Sequence, residues 1–274
     1  MNQKAIHKLA YRVSGRGCPV VFLHGFLESN KMWEVLNLEH ELQMIQIELP
    51  GHGKSLLDPV IPLTMESIAG AVIALLDKLE ISAYDVVGHS MGGYVALELK
   101  RNDPRCEKVV LLNSNFWQDT PAKQKDRRRV ADLVQTKKTY FIYEAIPNLF
   151  ENPKVNDKEV KELIRDADQM TSEAIAAASI AMSKRTNNRV LLEKDENQFA
   201  IFQGVNDTIV SKEMMQSELK GLHPVYVELS SGHMAHIECK DQLCNALIDF
   251  LRKKKRKRLV SVVIKNPDKL AGRK

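Results

Sequence analysis

The chain has 274 residues, of which 44% are hydrophobic and 27% are charged. This composition is typical of a globular protein with one large core, and no apolar stretch approaches the roughly 18 residues that a membrane-spanning helix needs. The formal net charge of +5 hides an uneven distribution, because residues 252–274 hold eleven Lys and Arg and one acid. The rest of the chain is therefore mildly acidic, and the basic character comes from one tail.

The N-terminal residues give no sign of export. They lack the apolar core of a signal peptide, and the pattern over residues 7–13 predicts a first strand instead. The cysteines show no CxxC spacing, and because three of them adjoin apolar patterns they are predicted to be buried free thiols; they are Cys18, Cys106, Cys239 and Cys244. A cytoplasmic location is the simplest expectation.

Short apolar runs alternate with helical patterns along the body of the chain. The runs predict strands over residues 19–23, 44–49, 84–87, 109–112, 200–202 and 225–229. Helices are predicted from the N-cap Thr64 through Leu79, directly after Ser90, and from about residue 237 to Leu251. Apolar strands separated by helices indicate an α/β fold with a mostly parallel sheet covered on both faces.

One connection is much longer than the others. About 85 residues without a strand pattern separate strands 109–112 and 200–202. Thr120-Pro121 begins a series of helical patterns, which cover residues 121–136, 138–146, 157–169 and 172–184. We predict a helical cap of residues 115–198, inserted into a discontinuous core of residues 1–114 and 199–251. An ordinary crossover with extra helices is the alternative.

The C-terminal tail, residues 252–274, starts with seven consecutive bases at 252–258. A solvated basic end to the last helix explains this run, since the helix dipole favours cations there. Contact with nucleic acid or a membrane surface through residues 252–258 is the alternative. The pattern at 259–265 predicts a short strand.

The most informative motif is Gly88-His89-Ser90-Met91-Gly92. An apolar strand, Gly-x-Ser-x-Gly and a helix in that order predict a nucleophile elbow. In this turn the serine takes a strained conformation, and side chains two residues before and after it would collide with neighbouring backbone. The helix N-terminus behind the serine can stabilise a developing negative charge. Ser90 is therefore the candidate nucleophile.

A serine nucleophile needs a general base and a third group that orients the base. His233 follows the last predicted strand and Asp207 follows the strand before it, so both belong at the carboxyl edge of the sheet, with Ser90. The chain order Ser90, Asp207, His233 is the one expected for this arrangement. Asp119 is the rival acid, because the position just after strand 109–112 holds amides and a serine.

Three other histidines are predicted to be non-catalytic. His236 is expected to be structural, at the start of a helix. His89 is expected to form a wall beside the nucleophile. His52 lies in a glycine turn and is expected to be solvated.

The oxyanion of an acyl-transfer intermediate needs N–H donors aimed at it. The backbone N–H of Met91 follows the nucleophile, and the loop after strand 19–23 offers the N–H of Phe26, where Gly25 allows a close approach. The predicted pocket lies under the cap, and its apolar lining favours an acyl or aromatic group. Besides Phe26 and Met91, its candidate lining residues are Leu27, Phe116 and Trp117, which equally suit a core position.

The chain resembles the α/β-hydrolase fold superfamily, and especially its small cap-bearing esterase-like members, in the motifs HGF, ELPGHGKS, GHSMGG, GVND and SGHMAHIE. The resemblance implies an eight-stranded, mostly parallel sheet and no cofactor. It also implies a set of roles, with Ser90 as nucleophile, Asp207 as orienting acid, His233 as general base, and Phe26 and Met91 as oxyanion donors. Haloalkane dehalogenases and epoxide hydrolases carry aspartate at the nucleophile position, so Ser90 speaks against both.

The sequence thus predicts a serine hydrolase that cleaves a small carboxylic ester or related acyl substrate through an acyl-enzyme on Ser90. It contains no HExxH metal motif and no GxGxxG phosphate loop, so neither a metal nor another cofactor is expected. Two alternatives stay open, since a fold does not fix a function. The same triad could serve C–C bond hydrolysis or a lyase step, or the chain could be a ligand receptor with slow turnover.

Overall fold

A computed structural model describes residues 6–252. In this part of the chain seven strands form one sheet, in the order β1-β3-β2-β4-β5-β6-β7. Their bounds are β1 Tyr11–Ser14, β2 Pro19–Leu23, β3 Gln43–Ile47, β4 Tyr84–His89, β5 Cys106–Leu112, β6 Phe199–Gly204 and β7 Val225–Leu229. Neighbouring strands run parallel except for β1 and β3, which are antiparallel. The fold is therefore of the predicted α/β class.

The expectation of eight strands is wrong for the described residues, which form seven. The first strand also begins later than predicted, because β1 pairs with β3 only from Tyr11, opposite Ile47. Just before it, the Ala10 N–H donates to the hydroxyl oxygen of Ser55 at 2.8 Å. Residues 6–10 are irregular, and β1 lies at the edge of the sheet.

Helices cover the sheet on both faces. Their bounds are α1 Met65–Lys78, α2 Met91–Asn102, α3 Pro121–Ala145, α4 Asp157–Asp168, α5 Ser172–Ser183, α6 Arg189–Lys194, α7 Lys212–Glu218, α8 Ala235–Glu238 and α9 Lys240–Arg252. As predicted, Thr64 caps α1, and its side chain accepts the Ser67 N–H in a capping box. The single helix predicted from about residue 237 is divided, because Cys239 has a non-helical backbone (φ −143°, ψ 46°).

Strand β2 shows how both faces of the sheet are buried. Val21 and Leu23 belong to the apolar cluster that contains residues of α1 and α2. Val20 and Phe22 belong to the opposite cluster, with Trp33 and residues of α9. Burial on both faces explains why the central strands read as continuous apolar runs.

The long connection between β5 and β6 is helical, as predicted, and contains α3 to α6. Helix α3 joins the two helices predicted at 121–136 and 138–146, with Lys137 as a non-helical residue (φ −134°, ψ 42°) between them. Apolar side chains of α3, α4 and α5 cluster with Leu27 and Met234, which follow β2 and β7. The cap, as we call residues 115–198, therefore packs on loops at the carboxyl edge of the sheet.

The described residues end at Arg252, the first residue of the basic tail. Arg252 ends α9 and forms an ion pair with Glu41. The bases at 253–258 and the strand predicted at 259–265 lie outside the described residues. All four cysteines are free thiols, as predicted. Only Cys106 among them is buried, since Cys18 is exposed and the other two are partly exposed, so the predicted burial is wrong for three of the four. Between residues 6 and 252, no helix is long and apolar enough to cross a bilayer.

Candidate active site

Ser90 lies in a tight turn between β4 and α2, with a strained backbone (φ 49°, ψ −115°). The flanking glycines make the turn possible, as predicted. A Cβ on Gly88 would come 2.4 Å from the carbonyl oxygen of Gly92, and a Cβ on Gly92 would come 2.2 Å from that of Leu23. Since real Cβ atoms do not approach backbone this closely, only glycine fits at either position.

Asp207 and His233 meet at the ends of two neighbouring strands, β6 and β7. The Nδ1 atom of His233 lies 2.8 Å from Oδ2 of Asp207, and both side chains are buried. Burial alone would raise the pKa of Asp207, but the nearby His233 and Asn113 lower it below its usual value. An ionised Asp207 accepts the Nδ1 proton of His233, which leaves Nε2 free to accept a proton from a nucleophile.

Asn113, directly after β5, also holds the acid. Its Nδ2 donates to Oδ2 of Asp207 at 2.9 Å, while Oδ1 of Asp207 accepts the N–H groups of Ile209 and Val210 at 2.8 and 3.0 Å. The sequence argument considered this position only as an alternative place for an acid. A residue that donates to a candidate carboxylate is hard to identify before the partner's position is known.

The rival acid, Asp119, belongs to a different cluster. Its carboxylate lies 2.7 Å from Nη1 of Arg185 and 3.3 Å from Nε of Arg127. The Arg185 guanidinium also stacks 4.1 Å from the ring centre of Tyr94. The structure therefore brings Asp207 to His233 and pairs Asp119 with two arginines of the cap.

The end of β4 approaches the histidine loop through the residue before Ser90. The ring centres of His89 and His233 are 4.9 Å apart. Nε2 of His89 lies 2.9 Å from the carbonyl oxygen of His233. The ends of β4, β6 and β7 thus converge at one edge of the sheet, where the sequence predicted Ser90, Asp207 and His233.

The predicted oxyanion donors lie on adjoining segments. Met91 is the first residue of α2, where backbone N–H groups have no partner within the helix. Phe26 lies in the loop after β2, and a Cβ on Gly92 would come 2.7 Å from the carbonyl oxygen of His24 in that loop. The loop is fixed by His24, whose Nε2 accepts the Leu49 N–H at 2.9 Å.

The predicted pocket residues differ in their surroundings. Leu27 is buried in the apolar cluster of the cap, with a left-handed backbone (φ 66°). Phe116 is buried in the core cluster together with Met182 of α5. Trp117 is partly buried, and its ring centre lies 5.3 Å from that of Phe116 in an edge-on arrangement. Phe26 is partly buried and contacts both clusters.

The expectation that His52 is solvated is wrong. Its side chain is 1% exposed, and its ring centre lies 5.0 Å from that of His24. Its ring centre also lies 6.5 Å from that of Phe26. The cap packs on the same turn, because a Cβ on Gly51 would come 2.8 Å from the Cβ of Ala174 on α5. Helix α5, which lies more than 100 residues later in the chain, thus packs on a glycine turn that the sequence pattern predicted to be exposed.

A short segment anchors the cap to the catalytic loops. The carbonyl oxygen of Leu149 accepts the His233 N–H at 2.9 Å. Glu238 accepts the Glu151 N–H at 2.7 Å and the Gly232 N–H at 2.9 Å, one on each carboxylate oxygen. The backbone of the candidate base is therefore bonded directly to the cap.

Three buried histidines predict how stability depends on pH. Burial lowers the pKa of His24 to about 4, and those of His52 and His236 to about 3. The unfolded chain then binds more protons than the folded chain below about pH 6.5, so stability is fully present above that pH and is lost as pH falls toward 3. Urea unfolding between about pH 8 and 5 should show this slope.

Two histidine variants, one buried and one exposed, test whether the buried histidines cause this loss of stability at low pH. His52→Asn should flatten the loss of stability with acid, whereas His40→Asn, at an exposed histidine, should keep the wild-type slope. His89 opposes the trend: burial would lower its pKa, but Glu28 raises it above the usual value. A wild-type slope in His52→Asn would contradict the prediction.

Comparison with known proteins connects these motifs to a family. Residues 20–246 match the model of the alpha/beta hydrolase family. An esterase from Thermogutta terrifontis, solved with malate bound, is 29% identical with a TM-score of 0.80, over 89% of this chain and 93% of that chain. The enol-lactonase of Burkholderia xenovorans LB400 is 22% identical with a TM-score of 0.78, over 89% and 96% of the two chains, which shows a shared fold.

A curated relative from Mycobacterium phage D29, a putative non-heme haloperoxidase, is 34% identical over 109 residues. The matched stretch is 38% of this chain and 39% of that relative, so the likeness spans well under two thirds of its length. The family match, by contrast, extends from β2 into α9 and includes the elbow, the Asp207 loop and the His233 loop. The protein belongs to the alpha/beta hydrolase family.

Proposed function

We propose that the chain is a serine hydrolase that cleaves a small carboxylic ester through an acyl-enzyme on Ser90. One observation carries the proposal. A strained Ser90 at the end of β4 and a buried His233–Asp207 hydrogen bond of 2.8 Å occur at the same edge of the sheet. A positioned nucleophile, a base and an orienting acid are the three groups that acyl transfer requires.

In the proposed reaction, Nε2 of His233 takes the hydroxyl proton as Ser90 attacks the ester carbonyl carbon. The N–H groups of Phe26 and Met91 stabilise the resulting oxyanion, and Asp207 stabilises the charged imidazole. His233 then gives the proton to the leaving alcohol, and an acyl-enzyme remains. Water that loses a proton to His233 releases the acid and restores Ser90.

Two further observations support an ester substrate. Leu27 packs against the cap, and Phe116 and Trp117 are apolar residues at the start of the cap, which suits an uncharged acyl or aromatic group. The solved relative from Thermogutta terrifontis, 29% identical over most of both chains, is an esterase. C–C bond hydrolysis and a slow-turnover receptor are the competing functions.

A fluorophosphonate probe tests the nucleophile directly. We expect intact mass to show one adduct on the wild type and none on Ser90→Ala, because only an activated serine attacks phosphorus readily. Ser230→Ala, at an exposed serine near the histidine loop, should label like the wild type. An adduct of equal yield on Ser90→Ala would overturn the assignment.

Turnover of short acyl esters then separates the competing functions. An esterase should release many equivalents of product per enzyme. A receptor should release about one equivalent in a slow burst. A C–C hydrolase or lyase should label with the probe and turn over short esters poorly.

A further inference from the structure

The residue before the nucleophile makes a buried ion-pair contact that the mechanism above does not use. Nδ1 of His89 lies 2.8 Å from Oε2 of Glu28, and both side chains are almost wholly inaccessible to solvent. Glu28 lies in the loop after β2, which carries the candidate oxyanion donor Phe26. The contact therefore joins the oxyanion loop to the end of β4.

Both partners make a second bond to a segment of the active site. The same Oε2 atom of Glu28 accepts the Gly25 N–H at 2.5 Å, which closes the turn that contains Phe26. Nε2 of His89 lies 2.9 Å from the carbonyl oxygen of His233. Three segments, namely the oxyanion loop, the elbow and the histidine loop, are thus linked through two side chains.

The proton positions follow from the acceptors. A backbone carbonyl oxygen can only accept, so Nε2 of His89 must carry a proton to bond His233. Although burial alone would raise the pKa of Glu28, the nearby His89 lowers it to about 2. The lowered pKa of Glu28 and the raised pKa of His89 both favour a carboxylate beside an imidazolium, in which His89 donates from both ring nitrogens.

A contribution to the stability of the fold does not explain why the chain buries a Glu28–His89 ion pair. A buried ion pair gains little over apolar residues of the same volume, because both charges lose their hydration. What the charged pair supplies is a histidine that donates in two directions at once. A neutral imidazole has one N–H and could bond only one of its two acceptors.

We propose that Glu28 and His89 are positioning residues that hold the oxyanion loop and the backbone of His233 in the geometry needed for acyl transfer. The proposal rests on the proposed serine hydrolase function. Glu28 keeps His89 doubly protonated. The Nε2–H of His89 can then donate to the carbonyl oxygen of His233 and hold the backbone of that residue in place. Small displacements of a base or an oxyanion donor cost about 10–100-fold in rate, since catalysis depends on their alignment.

The sharpest variant is Glu28→Gln, which keeps the shape of the side chain. The glutamine oxygen can still accept the Gly25 N–H, but without the carboxylate His89 becomes neutral and loses one of its two bonds. We expect kcat for a short acyl ester to fall about 10–100-fold with KM within about twofold, because ground-state binding is untouched. Fluorophosphonate labelling of Ser90 should slow in parallel.

Glu98→Gln is the matched control. Glu98 is also a buried glutamate in an ion pair, with Arg101, but lies on α2 away from the catalytic loops. It should keep kcat near the wild-type value, whatever its effect on stability. An unchanged kcat in Glu28→Gln, or equal losses of kcat in Glu28→Gln and Glu98→Gln, would overturn the positioning role.

Nitrogen NMR of the histidine side chains reads the pair without any substrate. We expect two protonated ring nitrogens on His89 in the wild type and one in Glu28→Gln. A singly protonated His89 in the wild type would refute the mechanism of positioning. The double variant Glu28→Gln/His89→Gln should lose no more activity than His89→Gln alone, since residues that act as a unit are not additive.

Failure of the proposed hydrolase function and failure of the positioning role would give different results in these experiments. A wild type that neither labels with the probe nor turns over esters would refute the serine hydrolase. The nitrogen spectra would still report the protonation of His89 in that case. A wild type that labels and turns over, beside a Glu28→Gln variant with the same kcat, would refute only the positioning role.

Discussion

Asparagine in place of Asp207 is expected to lower kcat for ester hydrolysis by about 10³–10⁴-fold while the fold is kept. Oδ1 of Asp207 accepts two backbone N–H groups, so the amide oxygen should take that side. The amide NH₂ would then face Nδ1 of His233 and the donor Nδ2 of Asn113. His233 is forced to accept at Nδ1 and to carry its proton on Nε2, where it cannot serve as a base.

Steady-state turnover and thermal unfolding together check this result. Asp249→Asn, an exposed aspartate on α9, should match the wild type in both measurements. A kcat near wild type for Asp207→Asn would show that His233 is oriented by another group. In that event Asp119→Asn becomes the informative variant, since the sequence offered Asp119 as the rival acid.

Gly92→Ala is expected to reduce the free energy of unfolding by about 3 kcal/mol, a value at the upper end for overpacking. The new Cβ would stand 2.2 Å from the carbonyl oxygen of Leu23 and 2.7 Å from that of His24. Both are backbone atoms, so the clash cannot be relieved by a change of side-chain rotamer. Either α2 or the oxyanion loop must shift, and activity should fall together with stability.

Gly70→Ala is the matched control, because it also replaces a glycine within a helix. Nothing lies within 4 Å of the position a Cβ would take at Gly70 in α1. The substitution should therefore stabilise the protein by about 0.5–1 kcal/mol through helix propensity alone. Urea unfolding of both variants measures the difference, and equal stabilities would refute the steric account of Gly92.

The parts of the fold that sequence predicted well are those set by local pattern. Strands β2 and β7 have the predicted bounds, because an apolar run between turn residues is a strong local signal. Helix α1 begins directly after its predicted N-cap Thr64, since the capping box is encoded within three residues. The break at Lys137 falls between the helices predicted at 121–136 and 138–146. The division between α8 and α9 was not predicted, because helix ends depend on tertiary packing.

Contacts between distant segments account for what sequence missed at the site. The position of Ser90, Asp207 and His233 at one edge of the sheet was predictable, because each follows a strand and parallel strands end at the same edge. Glu28 was not singled out, since a glutamate in a loop is usually solvated. Its burial beside His89 depends on β2 and β4 being neighbours in the sheet, which no local pattern states.

The candidate triad residues lie far apart along the chain, which has a consequence for how the protein folds during synthesis. Ser90 and both candidate oxyanion donors are complete once β5 is made, whereas Asp207 and His233 come after the whole cap. Pairing of β5 with β6, where Val109 lies opposite Phe199, must close a very long loop. Such distant pairing is slow to form. If the proposed function holds, a nascent chain on the ribosome would contain the candidate nucleophile Ser90 long before its candidate base and acid, and the appearance of activity would mark the docking of the last two strands.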